Sequence, residues 1–344
     1  MIQEHGGNTI EYQNILDFSA NINPLGMPDT IQKTIIDNIS SIEKYPDPFC
    51  TQLREKIAER EKISAVNIVC GNGADDLIYR IVHAVKPQKA LLYSPCFSEY
   101  ARALSEVGCN IIWYPLDENK EFELTETFTN CLDETIDICF ICNPNNPNGR
   151  VISPEILRII AKKCSEHNIL LVCDECFIDF VIDSEEYSIK NYLNEKCIIL
   201  KAFTKIYAVP GIRLGYAVCG SRAEAEKIAS TGQYWSVSSL AQRVGLTALD
   251  ETKYIHRTVG LISRERRFLE AELKKAGVKT YHSDANFLLF KSSENLFAQM
   301  ITEGILIRDC RNYRGLSAGY YRIAIRTNKE NNILLNALRR SLNG

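Results

Sequence analysis

The chain has 344 residues, of which 45% are hydrophobic and 24% are charged, so it can bury one large core and a smaller one in about two domains. A net charge of −3 provides no basic surface for nucleic acid or membranes. No apolar run approaches the roughly 20 residues that span a bilayer, and the N-terminus lacks a signal-peptide pattern. We therefore expect a cytoplasmic protein with neither nucleic-acid nor membrane partners.

The thirteen cysteines include two Cys-x-x-Cys pairs, Cys139/Cys142 and Cys173/Cys176, and this spacing is typical of zinc sites. Cys139 and Cys142 lie inside a predicted strand, where residues three apart point to opposite faces and cannot bind one ion. We expect no metal, and reduced thiols that are mostly buried.

The N-terminal region is rich in turn-forming residues. It opens with His5-Gly-Gly-Asn8 and continues with residues 16–26, which are too irregular for a helix. A residue at position five is ordinarily frayed. Farther on, two prolines in Tyr45-Pro-Asp-Pro48 exclude a helix and predict an extended loop before a helix at residues 50–61.

From residue 67 onward, short apolar runs alternate with helical patterns. Strands are predicted at residues 67–70, 90–93, 111–114, 138–141, 169–172, 197–200 and 214–218. The first strand leads into Gly71-Asn-Gly73-Ala74-Asp75, a tight turn at a helix start whose amides suit a phosphate. It lacks the third glycine of a dinucleotide fingerprint, which disfavours a nicotinamide enzyme. The alternation predicts an α/β fold with a mostly parallel sheet wrapped by helices.

Polar residues that could bind a ligand or take part in catalysis follow three of these strands. Asn146 lies in a turn-forming run that begins at Asn143, and Asp174 ends a buried strand, where it could keep a pyridine nitrogen protonated. Lys205 could lose its proton and form a Schiff base in a desolvated pocket, while Thr204 and Arg213 hold a phosphate beside it. Pyridoxal phosphate offers both an aldehyde and a phosphate. Each motif alone also fits an ordinary turn or a surface charge.

From about residue 250 the pattern changes to a smaller α+β domain. A long charged helix reaches residue 277, strands follow near 279–282, 286–290, 305–308 and 320–325, and helices near 294–303 and 330–342. We expect a large domain at residues 30–249 and a small domain made of residues 1–29 and 250–344. Arg322 lies in an apolar alternation of this domain, where an arginine needs an anionic partner.

Three motifs in order carry a family resemblance. Asn143-Pro-Asn-Asn-Pro-Asn-Gly149, Asp174-Glu-Cys-Phe177, and Thr204-Lys205 followed by Pro210-Gly-Ile-Arg213-Leu-Gly-Tyr216 resemble the fold-type I pyridoxal-phosphate enzymes of aminotransferase class I/II. More narrowly, they are similar to the branch that holds histidinol-phosphate aminotransferases and threonine-phosphate decarboxylases. The resemblance runs from His5 to about Thr327.

The resemblance implies pyridoxal 5'-phosphate as the cofactor, bound covalently by Lys205. It implies that the cofactor is also contacted by Gly73, Ala74, Asp75, Phe97, Asn146, Asp174, Thr204 and Arg213. Tyr45 would reach the cofactor phosphate of a partner subunit, which implies a homodimer with shared active sites. Ala202 stands where relatives usually carry a serine, and Phe177 where many aminotransferases carry a tyrosine.

The substrate implied by the resemblance is a small phosphorylated amino acid. His5 would bind its phosphate, Asn23 would lie near it, Arg322 would bind its α-carboxylate, and Arg308 would lie near its distal phosphate. Residues 5–8, 17–26 and 308–315 resemble the decarboxylases. They imply decarboxylation of L-threonine O-3-phosphate to (R)-1-amino-2-propanol O-2-phosphate, a precursor of cobalamin.

Three alternatives remain open at this point. A histidinol-phosphate aminotransferase, or a related transaminase, would share all of the cofactor residues. L-serine O-phosphate differs from the favoured substrate by one methyl group, which is worth only about 1–3 kcal/mol of discrimination. A non-catalytic regulator would carry a DNA-binding domain ahead of the fold, and the chain has no room for one before its first matching motif.

Overall fold

The computed structural model describes residues 5–12 and 14–343. In chain order its strands are β1 Leu16–Asp17, β2 Ile68–Gly71, β3 Lys89–Ser94, β4 Asn110–Pro115, β5 Ile138–Cys142, β6 Leu170–Asp174, β7 Cys197–Ala202, β8 Gly215–Cys219, β9 Lys279–Thr280, β10 Phe287–Lys291, β11 Ile305–Leu306, β12 Arg308–Asp309 and β13 Tyr320–Ala324. Its α-helices are α1 Asp29–Asp37, α2 Thr51–Glu61, α3 Gly73–Val85, α4 Ser98–Glu106, α5 Pro154–Glu166, α6 Phe203–Ile206, α7 Arg222–Ala229, α8 Ser239–Ala248, α9 Thr252–Lys275, α10 Leu296–Thr302 and α11 Asn328–Asn343.

A seven-stranded sheet in the order β2-β8-β7-β6-β5-β3-β4 forms the centre of the larger part. All neighbouring strands are parallel except β8, which runs antiparallel to both β2 and β7. Strands β5 and β6 are buried throughout, as expected for apolar strands covered by helices on both faces. The predicted α/β fold class is confirmed.

The C-terminal part contains a four-stranded antiparallel sheet in the order β12-β13-β10-β9. The N-terminal segment joins this part through β1, which pairs in parallel with β11. The amide of Phe18 also donates to Leu306, and the amide of Ala324 donates to the carbonyl of Phe18. These contacts support a small domain completed by the N-terminal segment, although the exact boundaries stay a prediction.

One strand prediction needs correction. Residues 305–308 were expected to form a single strand, but they form two short ones that belong to different sheets. Leu306 pairs with β1, whereas Arg308 pairs with Arg322 of β13. The chain changes sheets at Ile307, so a continuous apolar run does not correspond to one continuous ladder.

The thirteen cysteines are all unpaired thiols, and all but Cys131 and Cys176 are buried, as predicted. Within residues 5–12 and 14–343, no group of three or more His, Cys, Asp or Glu side chains is placed to hold a metal ion. In the same residues, no helix combines the length and hydrophobicity needed to cross a membrane.

Candidate active site

A cavity of about 370 Å³ lies at the carboxyl ends of the central strands. The loops after parallel strands meet at this edge, which is where α/β sheets ordinarily bind ligands. It is lined by ten of the predicted site residues, namely His5, Ala74, Asp75, Phe97, Asn146, Asp174, Thr204, Lys205, Arg213 and Arg322. The structure therefore brings together side chains that are up to about 300 positions apart in the sequence.

Lys205 belongs to the short helix α6, which directly follows β7. Burial lowers the pKa of Lys205, and the nearby positive charge of Arg322 lowers it further, while Asp75 acts in the opposite direction. A lysine with a lowered pKa is more often neutral, and only the neutral amine attacks an aldehyde. The site thus favours a nucleophilic amine at Lys205.

An anion cradle surrounds the start of α3. Gly73 has a φ of +85°, and a Cβ built there would lie 2.6 Å from Nη2 of Arg213. A Cβ on Gly215 would lie 2.7 Å from the backbone nitrogen of Ala74, so β8 also approaches this turn closely. The free amides at a helix start and an adjacent guanidinium form a favourable phosphate site. Thr204 contributes to the same cavity wall.

Asp174 is buried at the end of β6, with both carboxylate oxygens engaged. The hydroxyl of Tyr100 donates to Oδ2 at 2.6 Å, and the amide of Cys176 donates to Oδ1 at 3.0 Å. Phe97 and Phe177 also line the cavity. Phe177 packs edge-on against Phe287, with ring centroids 5.1 Å apart, and provides no hydroxyl.

Arg322 is 5% exposed and is held by three neighbours. Its Nη1 donates to Oδ1 of Asn146 and lies 3.3 Å from the hydroxyl of Tyr313, while its Nη2 donates to the carbonyl of Ser19 at 3.0 Å. Its Nε is buried and has no hydrogen-bond partner in the part of the chain that the structure describes. A buried donor without a partner is costly, so this atom suits an anionic ligand such as a carboxylate.

His5 lines the cavity and is paired with a carboxylate. Its Nε2 lies 2.8 Å from Oε1 of Glu99, and its ring centroid lies 5.9 Å from that of Phe97. Glu99 was missed by the sequence analysis, because nothing in the local pattern of residues 97–100 indicates a partner at position five.

The other four predicted site residues do not line the cavity. Gly73 lies directly behind it, at the turn before Ala74. Tyr45 is 80% exposed and stacks on Trp235 with ring centroids 4.5 Å apart. Arg308 is buried, and its Nη2 donates to Oδ1 of Asn312 at 2.7 Å. The ligand roles of Tyr45 and Arg308 stay predictions.

Asn23 differs most from its predicted place near the substrate. Its amide nitrogen donates to the carbonyl of Ile206 and to Oγ1 of Thr258, both at 2.7 Å, and its Oδ1 accepts the amide of Leu25. Both of its amide hydrogens are therefore in use. Its backbone amide donates to the carbonyl of Lys205 at 3.1 Å. In this structure, Asn23 supports the segment that carries Lys205 instead of lining the cavity.

Several cavity residues were not predicted. They are Gly6, Ser19, Ala20, Asn21, Ile78, Cys142, Cys176 and Tyr313, together with Ala202 and Phe177, which had been noted only as departures from the family pattern. Ser19 and Tyr313 both hold Arg322, and they lie in stretches that the resemblance had singled out. These two stretches, residues 17–26 and 308–315, were therefore the signal from which partners of Arg322 could have been predicted.

The donor set fits pyridoxal phosphate. A lysine with a lowered pKa suits its aldehyde, the cradle at Gly73 and Arg213 suits its phosphate, and the fixed carboxylate of Asp174 suits its ring nitrogen. The profile of the family described as aminotransferase class I and II matches residues 13–338. The chain belongs to the class I and II aminotransferase family. The predicted cofactor is confirmed by this membership, since enzymes of the family depend on pyridoxal phosphate.

Three relatives within this family are especially informative. The threonine-phosphate decarboxylase of Salmonella typhimurium is 37% identical, covering 99% of this chain and 97% of its own. The adenosylcobalamin biosynthesis bifunctional protein CobDQ of Leptospira interrogans is 34% identical over 98% of this chain and 41% of its own, longer chain. The solved histidinol-phosphate aminotransferase of Clostridium acetobutylicum superimposes with a TM-score of 0.89 at 32% identity, covering 96% and 99% of the two chains.

Proposed function

We propose that this enzyme decarboxylates L-threonine O-3-phosphate to (R)-1-amino-2-propanol O-2-phosphate in cobalamin biosynthesis. The observation that carries the proposal is the full-length similarity to a threonine-phosphate decarboxylase. The relative named for adenosylcobalamin biosynthesis supports the pathway. The cavity supports the substrate class, because it is lined by the guanidinium-bearing Arg322, which suits a carboxylate, and by His5.

When bound, pyridoxal phosphate supplies an aldehyde that captures the substrate amine and a conjugated ring that accepts the electron pair released at the substrate's Cα. Lys205 would hold the cofactor covalently, with the amides at Gly73–Asp75, Thr204 and Arg213 holding its phosphate. Asp174 would keep a proton on its ring nitrogen, and Tyr100 fixes the orientation of that carboxylate.

Arg322 would determine which bond at Cα breaks. Its guanidinium plane is fixed by Asn146, Tyr313 and Ser19, so a carboxylate bound by Arg322 would have a set direction. That direction decides whether the carboxylate or the α-proton leaves. After carbon dioxide has left, Lys205, which lines the cavity, would return a proton to Cα.

The test is to incubate the holoenzyme with L-threonine O-3-phosphate without any keto acid, and to measure carbon dioxide and the amine product. Sustained release that is lost in Lys205→Ala is expected. L-serine O-phosphate in a parallel reaction decides between the two phosphorylated substrates. Absence of release from L-threonine O-3-phosphate would overturn the proposal.

A histidinol-phosphate aminotransferase is the second candidate, favoured by the close superposition on the Clostridium acetobutylicum enzyme. It needs the same cofactor residues. Turnover that appears only with histidinol phosphate and 2-oxoglutarate together would establish it in place of the decarboxylase.

We also propose a homodimer with shared sites. Support comes from a cluster of exposed aromatic side chains in mutual ring contact, Tyr45, Phe49, Tyr234 and Trp235. Such a patch commonly marks an interface. Mixing inactive Lys205→Ala with Tyr45→Ala subunits should restore activity, because a mixed dimer holds one complete site. Unchanged activity after mixing would argue against sharing. The cytoplasmic location stays a prediction.

A further inference from the structure

Residues 5–7, termed here the N-terminal strap, are attached to both sides of the cavity. On one side, the amide of Gly7 donates to Oγ of Ser19 at 2.8 Å, and a Cβ on Gly6 would lie only 2.1 Å from the carbonyl oxygen of Ser19. On the other side, Nε2 of His5 lies 2.8 Å from Oε1 of Glu99. His5 and Gly6 line the cavity between these two attachments.

Glu99, the partner of His5, is itself held in place by its surroundings. It lies in the first turn of α4 and is 7% exposed. Its Oε2 accepts a hydrogen bond of 3.0 Å from the hydroxyl of Tyr79, and Nη1 of Arg102 lies 3.9 Å from its Oε1. The hydrogen bond from His5 keeps the pKa of Glu99 below its ordinary value, although burial alone would raise it. Both oxygens of Glu99 are thus occupied by protein groups.

Glu99 does not line the cavity itself, so it acts on a ligand only through His5. A segment that becomes ordered only when the ligand binds loses conformational entropy in that step, which weakens binding. An anchor that has already ordered the segment removes this cost from the binding step. Without Glu99, the strap would lose its hydrogen bond on this side of the cavity and keep there only the ring contact of His5 with Phe97 among the contacts described.

We propose that Glu99 is a positioning residue for substrate recognition: it fixes His5, and with it the N-terminal strap, at the cavity so that the imidazole meets the substrate's phosphate. This rests on the proposed function, because the phosphate is that of the proposed substrate. The contribution of Glu99 is to binding, whereas the bond-breaking step depends on Lys205 and Arg322.

The first experiment is a double-mutant cycle on the holoenzyme with L-threonine O-3-phosphate. Glu99→Gln keeps the side-chain shape and removes the charge. It should raise KM about five- to tenfold with kcat changed less than about twofold, as for a residue that acts on binding alone. In a His5→Gln background the same change should have little further effect, because the two residues act as one unit. Tyr79→Phe removes only the hydrogen bond from Tyr79 to Glu99, so it should also raise KM, but by a smaller factor.

The control is a second histidine–glutamate pair, in which Glu106 lies on α4 like Glu99 and His83 lies on α3. Nε2 of His83 lies 3.3 Å from Oε2 of Glu106, and both side chains are well exposed and outside the cavity. Glu106→Gln should leave KM unchanged. An unchanged or lowered KM in Glu99→Gln, or losses that multiply in the double variant, would overturn the proposal.

A second readout does not require turnover. Glu11 is exposed shortly after the strap, so a glutamate-specific protease can report how well the strap is held. Release of the N-terminal fragment, followed by mass spectrometry, should be faster in Glu99→Gln than in wild type and unchanged in Glu106→Gln. If wild type fails to decarboxylate the substrate, the proposed function fails, while equal cleavage rates in wild type and Glu99→Gln would overturn the role of Glu99 separately.

Discussion

The hydroxyl of Tyr100 donates a 2.6 Å hydrogen bond to Oδ2 of Asp174, the carboxylate at the end of β6. Tyr100 is fully buried and stacks on Phe140 with ring centroids 5.1 Å apart. Burial raises the pKa of Tyr100 well above its ordinary value, so the hydroxyl stays protonated and donates. The carboxylate that would bind the cofactor ring is therefore oriented by a tyrosine from the neighbouring helix α4.

Replacing this tyrosine tests the relationship. Tyr100→Phe keeps the stacked ring and removes one donor to a charged group, so the affinity for pyridoxal phosphate should fall about ten- to hundredfold. Titration of the apoenzyme with the cofactor, followed by visible absorbance, measures it. Tyr114→Phe serves as the control, because that hydroxyl contacts Thr127 on the surface. Equal affinity in the two variants would contradict the prediction.

The pH dependence of cofactor attachment should reflect the environment of Lys205. Because burial and Arg322 lower the pKa of Lys205, its amine becomes neutral at a lower pH than an exposed lysine does. The attachment rate should rise with pH through this lowered pKa and then level off.

Arg322→Gln removes the positive charge near Lys205 and should therefore raise the pKa of Lys205. The rise of the attachment rate with pH should then occur at a higher pH than in wild type. Stopped-flow absorbance at a series of pH values checks the direction. Arg326→Gln is the matched control, since Arg326 is paired with Glu330. If the attachment rate of Arg322→Gln rises at the same pH as in wild type, or at a lower pH, the charge of Arg322 does not lower the pKa of Lys205.

A methyl group at position 73 should disrupt the anion cradle at the start of α3. Gly73→Ala introduces a Cβ 2.6 Å from Nη2 of Arg213 at a φ of +85°, so the guanidinium must move. Cofactor affinity should fall at least about tenfold, in addition to roughly 1 kcal/mol of backbone strain.

Gly108 provides the comparison, because it has a φ of +71° and, among the described residues, no atom lies within 4 Å of the position that an added Cβ would take. Gly108→Ala should show the loss of thermal stability without the loss of affinity. Equal affinities in the two variants, measured by equilibrium dialysis, would mean that the cradle tolerates a displaced Arg213.

Glu118 connects the loop after β4 to the small sheet. It accepts hydrogen bonds of 2.6 Å from the hydroxyls of both Tyr281 and Tyr320, and Lys279 lies 2.7 Å away. These partners hold the pKa of Glu118 well below its ordinary value, led by Lys279. Because the folded-state pKa is lowered, the carboxylate stabilises the fold above about pH 4.3 and this contribution disappears as the pH falls.

Glu118→Gln should therefore lower the melting temperature at pH 7, and the difference from wild type should shrink at lower pH. The effect should stay below about 1 kcal/mol, because the site is open to solvent. Calorimetry at pH 7 and pH 4 measures both values. A difference that grows at acid pH would contradict the sign.

Local patterns were sufficient for much of the architecture. Apolar runs located the central strands to within about two residues, since buried parallel strands are continuously hydrophobic. Asp174 and Asn146 were found because each follows such a strand, and strand ends converge at one edge. Lys205 was found from its neighbours Thr204 and Arg213. The change of sheet at Ile307 could not be found in this way, because it depends on which distant strand each residue pairs with.

The supporting contacts of the site were also beyond the reach of local patterns. Tyr100 is 74 positions from Asp174, and Ser19 is 303 positions from Arg322. Nothing in the residues flanking Glu99 indicates that it meets His5. For Asn23 the resemblance implies a place near the substrate, whereas its side chain donates to Ile206 and Thr258 in the structure, so that role stays a prediction.

The reversed direction of β8 has a consequence for how the site can vary. Since β7 and β8 are antiparallel neighbours, Lys205 and Arg213 lie on a single short connection that leaves and re-enters the sheet at one edge. The residues proposed to bind the aldehyde and the phosphate of the cofactor therefore share one segment of main chain. An insertion there would change the span between them, whereas the loop that carries Asn146 and the loop that follows Asp174 can lengthen or shorten independently of that span.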